Sequence, residues 1–162
     1  MQWLIPGEML IKVWVVLFVY LRLPPKIKVL EALGAVADGR VKVLGGGRCE
    51  VVSSEGDKTY TVVIEGEYAY SNDNGTIYRG YIGYPILACL MAGGKLPADK
   101  ELAERLRGIP WKRLNEKFKK YVDVLQYIYA ERGIDRERAE GYISMVLKEV
   151  GKLRLKFGGK SQ

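Results

Sequence analysis

The sequence predicts an α+β fold, in which a small antiparallel β-sheet with short helices precedes a C-terminal pair of longer helices. Two observations lead to this prediction. Residues 41–81 hold short β-branched segments separated by glycine turns, which is typical of an antiparallel meander of four strands. Beyond residue 110, apolar residues recur at alternating intervals of three and four, which is typical of packed helices.

The first predicted element is a helix over Lys26–Ala37, whose residues Ile27, Leu30 and Leu33 form one apolar stripe. Asp38 and Gly39 end this helix. Predicted strands then follow at residues 41–44, 48–54, 59–71 with Gly66 as a candidate break, and 76–81. The glycines at 45–47 lack the lysine and hydroxyl of a phosphate-binding loop, so we interpret them as a hairpin turn.

Helices predominate from residue 84 onward. Residues 84–92 predict a short buried helix with Pro85 in its first turn, and residues 97–107 predict another, which the Gly-Ile-Pro sequence at 108–110 ends. Two long helices follow, the second with Asp135 as its N-cap. Their apolar seams are Trp111, Leu114, Phe118, Tyr121, Leu125 and Ile128, and then Ala139, Ile143, Val146, Val150, Leu153 and Phe157.

The two seams predict a coiled-coil-like hairpin of helices. Apolar residues outside the seams, such as Val122 and Leu147, indicate a further buried face that a second chain would supply. We therefore expect a homodimer. The residues expected to form the dimer are Leu125, Ile128, Ile143, Val146, Val150, Leu153 and Phe157.

The N-terminal residues 9–23 are almost entirely apolar. Their uninterrupted apolar stretch, residues 13–21, is well short of the roughly 20 residues that a membrane-spanning helix needs, and the flanking residues do not fit a signal peptide. Three interpretations stay open: a buried β-rich segment, a short membrane or partner anchor, or an extension upstream of the folded part. We favour the first and the third, and expect a cytoplasmic protein.

An aromatic stretch lies at residues 59–84, which hold six of the chain's eleven tyrosines. A tyrosine ring can lie half-buried in a sheet and still offer a π-face to a nucleic-acid base. The alternative is that these tyrosines only fill the sheet, where tyrosine is common. The stretch therefore predicts an aromatic surface, and its use depends on the neighbouring charges.

Positive charge is concentrated directly after this stretch. The chain has a formal charge of +7, and residues 95–120 contain nine basic and four acidic residues. A concentrated basic patch favours a polyanionic partner, with a solvated helix surface as the alternative. Cations beside stacking rings are the usual means of binding single-stranded nucleic acid.

Catalytic and metal-binding chemistry finds little support. The chain has no histidine, and its two cysteines, Cys49 and Cys89, do not have the spacing of a metal site. They are either disulfide-bonded or, as we favour, small buried apolar residues. Glu50, Glu65, Glu67 and Asp73 are interpreted as hairpin surface charge. We expect no enzymatic activity, no cofactor, no metal and no small-molecule substrate.

Residues 29–157 resemble the ThermoDBP family, the single-stranded-DNA-binding proteins of the archaeal order Thermoproteales. The matching stretches are VLEALGAVADGRVKVLGGGRCEVVSSEGDKTYTVVIEG, the tyrosine-rich turn and the paired helices. The resemblance implies an α+β DNA-binding domain that is not an OB-fold, with an apolar and aromatic cleft edged by basic residues. It also implies a C-terminal helical coiled coil that forms a dimer.

We therefore expect a protein that binds and protects single-stranded DNA in replication or repair without sequence specificity. The expected domains are an extension (1–25), a nucleic-acid-binding domain (26–109), a dimerisation hairpin (110–158) and a tail (159–162). An RNA-binding protein, or an interaction scaffold held at a membrane by residues 9–23, is the alternative. The stacking candidates are Tyr68, Tyr70, Tyr78, Tyr81, Tyr84 and Trp111. The phosphate-binding candidates are Arg48, Lys58, Arg79, Lys112, Arg113, Lys117, Lys119 and Lys120.

Overall fold

A computed structural model describes residues 20–158, which form an α+β fold with a five-stranded mixed sheet. The strands are β1 Val41–Gly45, β2 Arg48–Val52, β3 Thr59–Glu65, β4 Tyr68–Ser71 and β5 Lys156–Phe157. The helices in this part of the chain are α1 Lys26–Ala37, α2 Asn74–Ile77, α3 Tyr84–Ala92, α4 Lys100–Arg105, α5 Trp111–Phe118, α6 Tyr121–Arg132 and α7 Arg136–Lys152.

The sheet has the strand order β1-β2-β3-β4-β5, and its first four strands form an antiparallel meander. A four-stranded meander was predicted, but its third and fourth strands both come from the single segment predicted at 59–71. Strand β5 adds to β4 in parallel, with Lys156 opposite Tyr68. Phe157 therefore lies in a strand and not in the last helix, where its spacing had placed it. That helix ends at Lys152, and Arg154 adopts a positive φ of 48° that redirects the chain toward the sheet.

Helix α3 covers the inner face of the sheet, and α1 packs on the far side of α3. The inner face follows from strand alternation, since Cys49 pairs with Val62, and Val62 with Ser71, and all three are buried. Helices α4 and α7 contact α1. The buried apolar side chains of these layers form one continuous core.

A disulfide joins Cys49 on β2 to Cys89 on α3. The interpretation that both cysteines are unbonded apolar residues is therefore wrong in one respect. They are buried as expected, but α3 lies so close to the inner face of the sheet that their Cα atoms are 5.9 Å apart. The bond links the two layers covalently.

The predicted strand at residues 76–81 is also wrong. The chain forms the four-residue helix α2 there, because Asp73 caps it: Asp73 Oδ2 accepts from the Thr76 backbone N–H at 3.1 Å, and Oδ1 accepts from the Thr76 hydroxyl at 2.8 Å. The strand predicted at 59–71 is divided into β3 and β4 near Gly66, which has a φ of 56°.

The first of the two predicted long helices is divided as well. Helix α5 ends at Phe118, Lys119 takes the left-handed conformation with a φ of 66°, and α6 begins at Tyr121. Five of the seven predicted dimerisation residues are buried within the chain's own core, and only Leu153 and Phe157 are exposed; the five are Leu125, Ile128, Ile143, Val146 and Val150. Asp135 precedes α7 as predicted, without a side-chain capping bond.

The N-terminal prediction for residues 9–23 falls mostly outside the described residues. Of the part that is described, the Leu21 N–H donates to the Leu155 carbonyl at 2.9 Å, and the Arg22 N–H donates to the Gly80 carbonyl at 2.9 Å. Residues 21 and 22 are thus joined to the segment before β5 and to the loop between α2 and α3. Across residues 20–158, no helix is both long enough and apolar enough to cross a bilayer.

Candidate nucleic-acid interface

A cleft of about 710 Å³ opens where α3 begins, between α1, the β2–β3 turn, α2 and the N-terminal part of α5. Its position follows from the sheet, because Tyr60 lies on the inner face of β3 next to the first residue of α3, Tyr84. The two rings meet edge to face with centroids 6.0 Å apart. Pockets of this volume are large enough for a nucleotide-sized ligand.

The floor of the cleft is a buried carboxylate, Glu31 on α1, which is only 5% exposed. Lys28 Nζ donates to both of its oxygens at 3.3 Å, and Asn115 Nδ2 on α5 donates to Oε1 at 2.8 Å. Burial by itself would lower the pKa of Lys28, but the attraction of Glu31, Tyr121 and Tyr81 together with the hydrogen bond to Glu31 outweighs it, and the pKa is raised. Lys28 therefore stays charged.

The walls carry Tyr81 and Tyr121 in addition to Tyr60 and Tyr84. Lys28 Nζ lies 5.3 Å from the ring centre of Tyr121, a cation–π contact. Burial raises the pKa of Tyr81 and of Tyr84, and Glu31 raises that of Tyr84 further. These hydroxyls therefore keep their protons at neutral pH and act as hydrogen-bond donors as well as acceptors.

The rim of the cleft is held by ion pairs between the β2–β3 turn and α5. Lys112 Nζ donates to Asp57 Oδ2 at 2.9 Å, and the Lys112 N–H donates to the Ser54 hydroxyl at 3.3 Å. The hydrogen bonds from Lys112 and Ser53 hold the pKa of Asp57 at about 2, below its ordinary value. The turn is thereby fixed against the helix, and Lys112 is partly neutralised.

Charge around the whole cleft is mixed with a positive excess. Six basic residues line it against four acidic residues. The basic ones are Lys28, Arg40, Lys58, Arg79, Lys112 and Lys119, and the acidic ones are Glu31, Asp57, Asp73 and Glu116. An anionic ligand fits this lining better than a cationic one.

A family model matches residues 21–156, which is most of the chain. The chain belongs to the family of uncharacterised conserved proteins UCP014422. No curated protein and no solved structure matches it. Every residue that lines the cleft lies inside the UCP014422 match.

In this UCP014422 chain, about half of the predicted binding residues line the cleft. They are Tyr81, Tyr84, Trp111, Lys58, Arg79, Lys112 and Lys119. Lining residues come from both sides of the predicted boundary at residue 110, so the two predicted segments build this one site together. Trp111 is only 3% exposed, and its Nε1 is pressed against Gly34 of α1, so this ring supports the floor and cannot stack on a base.

The remaining predicted residues lie elsewhere. Tyr68 and Tyr70 on β4 belong to a second surface, which Tyr20, Arg154, Lys156 and Phe157 share. In it, Lys156 Nζ lies 5.8 Å from the Tyr68 ring centre, and Tyr70 lies 6.0 Å from Phe157. Tyr78 is 81% exposed and follows α2. Arg48, Arg113, Lys117 and Lys120 do not line the cleft.

The sequence analysis did not predict several residues that line the cleft. The most important of them are Lys28, Glu31, Asn115 and Tyr121. A signal for Glu31 exists: it lies four residues after Ile27, within the apolar stripe of α1, so the helix turns it inward. A charged residue in an apolar stripe needs a buried partner, and Lys28 supplies one. Asn115 offered no comparable pattern.

Proposed function

We propose that this protein binds single-stranded DNA in the cleft, with bases against its tyrosines and phosphates along its lysines and arginines. The observation that carries the proposal is the position of Tyr121, which is 39% exposed and lines the cleft together with Lys28, Lys58 and Lys119. Rings stack on any base, and neighbouring cations follow the phosphates. The resemblance to ThermoDBP supports the same function.

The recessed aromatic wall of the cleft favours a single strand over a duplex. A duplex presents its phosphates outward and keeps its bases paired, so it gains nothing from a recessed aromatic wall. An unpaired strand can turn its bases inward and keep its phosphates at the rim, where Lys58, Arg79 and Lys119 lie. Most of this binding is independent of sequence, because stacking accepts every base.

The fold and assembly form part of the proposal. We propose a fold distinct from the OB-fold; the consecutive strand order, closed by a parallel β5, supports this because an OB-fold is a Greek-key barrel. We also propose a homodimer formed through apolar side chains that the last two helices leave exposed, among them Val122, Met145 and Leu153. Light scattering of the intact protein measures its mass and tests the dimer.

Fluorescence anisotropy tests the function. A labelled oligonucleotide of about 20 bases is titrated as a single strand and as a duplex, at about 50 and 200 mM salt. Tight single-strand binding that largely survives the higher salt, with duplex binding much weaker, is the expected result. Equal and salt-sensitive binding to both would contradict a stacking cleft. The matching RNA strand, run in parallel, determines the preference for the sugar.

A further inference from the structure

The floor of the cleft has more hydrogen-bond acceptors than its protein donors use. A carboxylate offers about four acceptor positions, two on each oxygen. Glu31 Oε1 accepts from Lys28 and Asn115, whereas among residues 20–158 Oε2 accepts from Lys28 alone. Asn115 Oδ1 is buried and accepts no hydrogen bond from any described residue. Both residues line the cleft, and the bond between Asn115 Nδ2 and Glu31 Oε1 holds them next to each other.

These acceptors set a requirement on the ligand. A buried acceptor without a donor is energetically costly, so a group entering the floor must bring N–H or O–H donors. A polyamine brings donors, but its positive charge conflicts with the basic excess of the lining. The ligand must therefore combine a donor-rich head with an anionic tail.

A nucleotide with an amino-bearing base has this combination. Guanine is the richest in donors, because its Watson–Crick edge presents N1–H and the N2 amino group next to each other. Cytosine and adenine offer one amino group, and thymine offers only N3–H. The anionic tail of such a ligand would lie toward Lys58, Arg79 and Lys119, which line the same cleft.

We propose that the floor of the cleft is a base-reading subsite in which Glu31 and Asn115 accept hydrogen bonds from a guanine edge. This inference rests on the proposed function and refines it: most of the strand is bound whatever its sequence, while one position prefers guanine. The expected order of preference at that position is guanine first, then adenine and cytosine, then thymine.

Four oligonucleotides of about 20 bases, all thymine except for dG, dA, dC or dT at one central position, test the subsite. A well-placed bidentate contact discriminates by about tenfold or more, so the dG strand should bind at least about tenfold more tightly than the all-thymine strand. The Asn115→Leu variant should lose most of this difference. Asn72→Leu is the matched control. Asn72 lies outside the cleft, and its Oδ1 accepts a hydrogen bond from the Thr61 N–H.

A second measurement separates this inference from the proposed function. Guanosine monophosphate and uridine monophosphate are added to the intact protein, and the shift in Tm is recorded. A larger Tm shift with the guanine nucleotide supports the subsite even if no oligonucleotide binds. Absence of oligonucleotide binding together with this shift would overturn only the single-strand proposal. Equal affinity for all four oligonucleotides together with equal shifts overturns the subsite and leaves single-strand binding intact. Absence of binding in every arm overturns both.

Discussion

Asn115 donates from its Nδ2 to Glu31 Oε1 at 2.8 Å, which joins α5 to α1 across 84 residues of sequence. The same two helices meet again at Gly34 and Trp111. The cleft between them is therefore built on a direct helix contact. The ligand-facing groups are held by the core of the protein, so changes in that core should reach the site.

Replacing Tyr121 by alanine should weaken single-strand binding by about 1–3 kcal/mol, because it removes the exposed ring on which a base can stack. Tyr127→Ala is a matched control: Tyr127 lies on the same helix, is likewise 39% exposed and does not line the cleft. Anisotropy with a thymine oligonucleotide measures both variants. Equal losses in the two would place the strand outside the cleft.

Replacing Lys119 by asparagine should reduce the salt dependence of binding, by about 0.7 for each phosphate that the variant no longer neutralises, which is the value for single strands. Asparagine removes the charge and tolerates the left-handed backbone at this position. Lys117→Asn removes an equal charge two residues away, outside the cleft. The slope of log affinity against log salt is compared for the two variants, and a change in Lys117→Asn alone would move the phosphate path to the outer face of α5.

Replacing Gly34 by alanine should destabilise the fold by about 1–2 kcal/mol, because the added Cβ would lie 2.9 Å from Trp111 Nε1 in a rigid, buried ring. Gly141→Ala is the matched control on α7. Nothing lies within 4 Å of its added Cβ, so the better helix propensity of alanine should stabilise by up to about 1 kcal/mol. Urea denaturation measures the unfolding free energy of both variants. If Gly34→Ala does not change it, α1 and α5 can move apart without loss of stability.

Replacing both cysteines by alanine should lower the free energy of unfolding by about 4 kcal/mol, because the disulfide closes a loop across 40 residues of the unfolded chain. Denaturation with and without a reducing agent measures the effect. The reductant should destabilise the native protein and leave the double variant unchanged. If the reductant does not change the unfolding free energy of the native protein, the disulfide does not form.

Acid should weaken the contact between the β2–β3 turn and α5. The pKa of Asp57 is about 2 in the folded protein, below its ordinary value of 3.8, so the folded state favours the ionised carboxylate. The resulting stabilisation is complete above about pH 4 and is lost as the pH falls toward 2. Thermal melts between pH 2 and 6 should show a smaller change in Lys112→Met, because that variant lacks the partner of Asp57.

Much of the fold could be predicted from local pattern. The meander followed from glycine turns between β-branched segments, and α3 from the apolar run at residues 84–92 with Pro85 in its first turn. Errors arose where one side chain or one backbone angle overrode the pattern. Asp73 turned a β-like segment into α2, and Lys119 divided an apparently continuous helix. Neither the Asp73 cap nor the left-handed backbone at Lys119 alters the pattern of apolar residues, which was the basis of the prediction.

The candidate site was predictable in kind and less so in detail. Adjacent tyrosines and lysines indicated an aromatic, basic surface, but sequence proximity could not tell which of them share a face. Tyr81 and Tyr84 reach the cleft because they lie at the start of α3, whereas Tyr68 and Tyr70 alternate with the buried Ala69 and Ser71 and so lie on the outer face of β4. Asn115 and Glu31 are far apart in sequence, and only the packing of α5 on α1 brings them together.

The pairing of β5 with β4 and of Lys156 with Tyr20 has a consequence for biosynthesis. The four-stranded meander contains only contacts between neighbouring segments, so it can form while later residues are still being translated. The edge of β4 stays unpaired until residues 156–157 have left the ribosome, and an unpaired strand edge is where nascent chains associate wrongly. Completion of the sheet therefore waits for residues 156–157, and a chain stopped before residue 156 would carry an open edge.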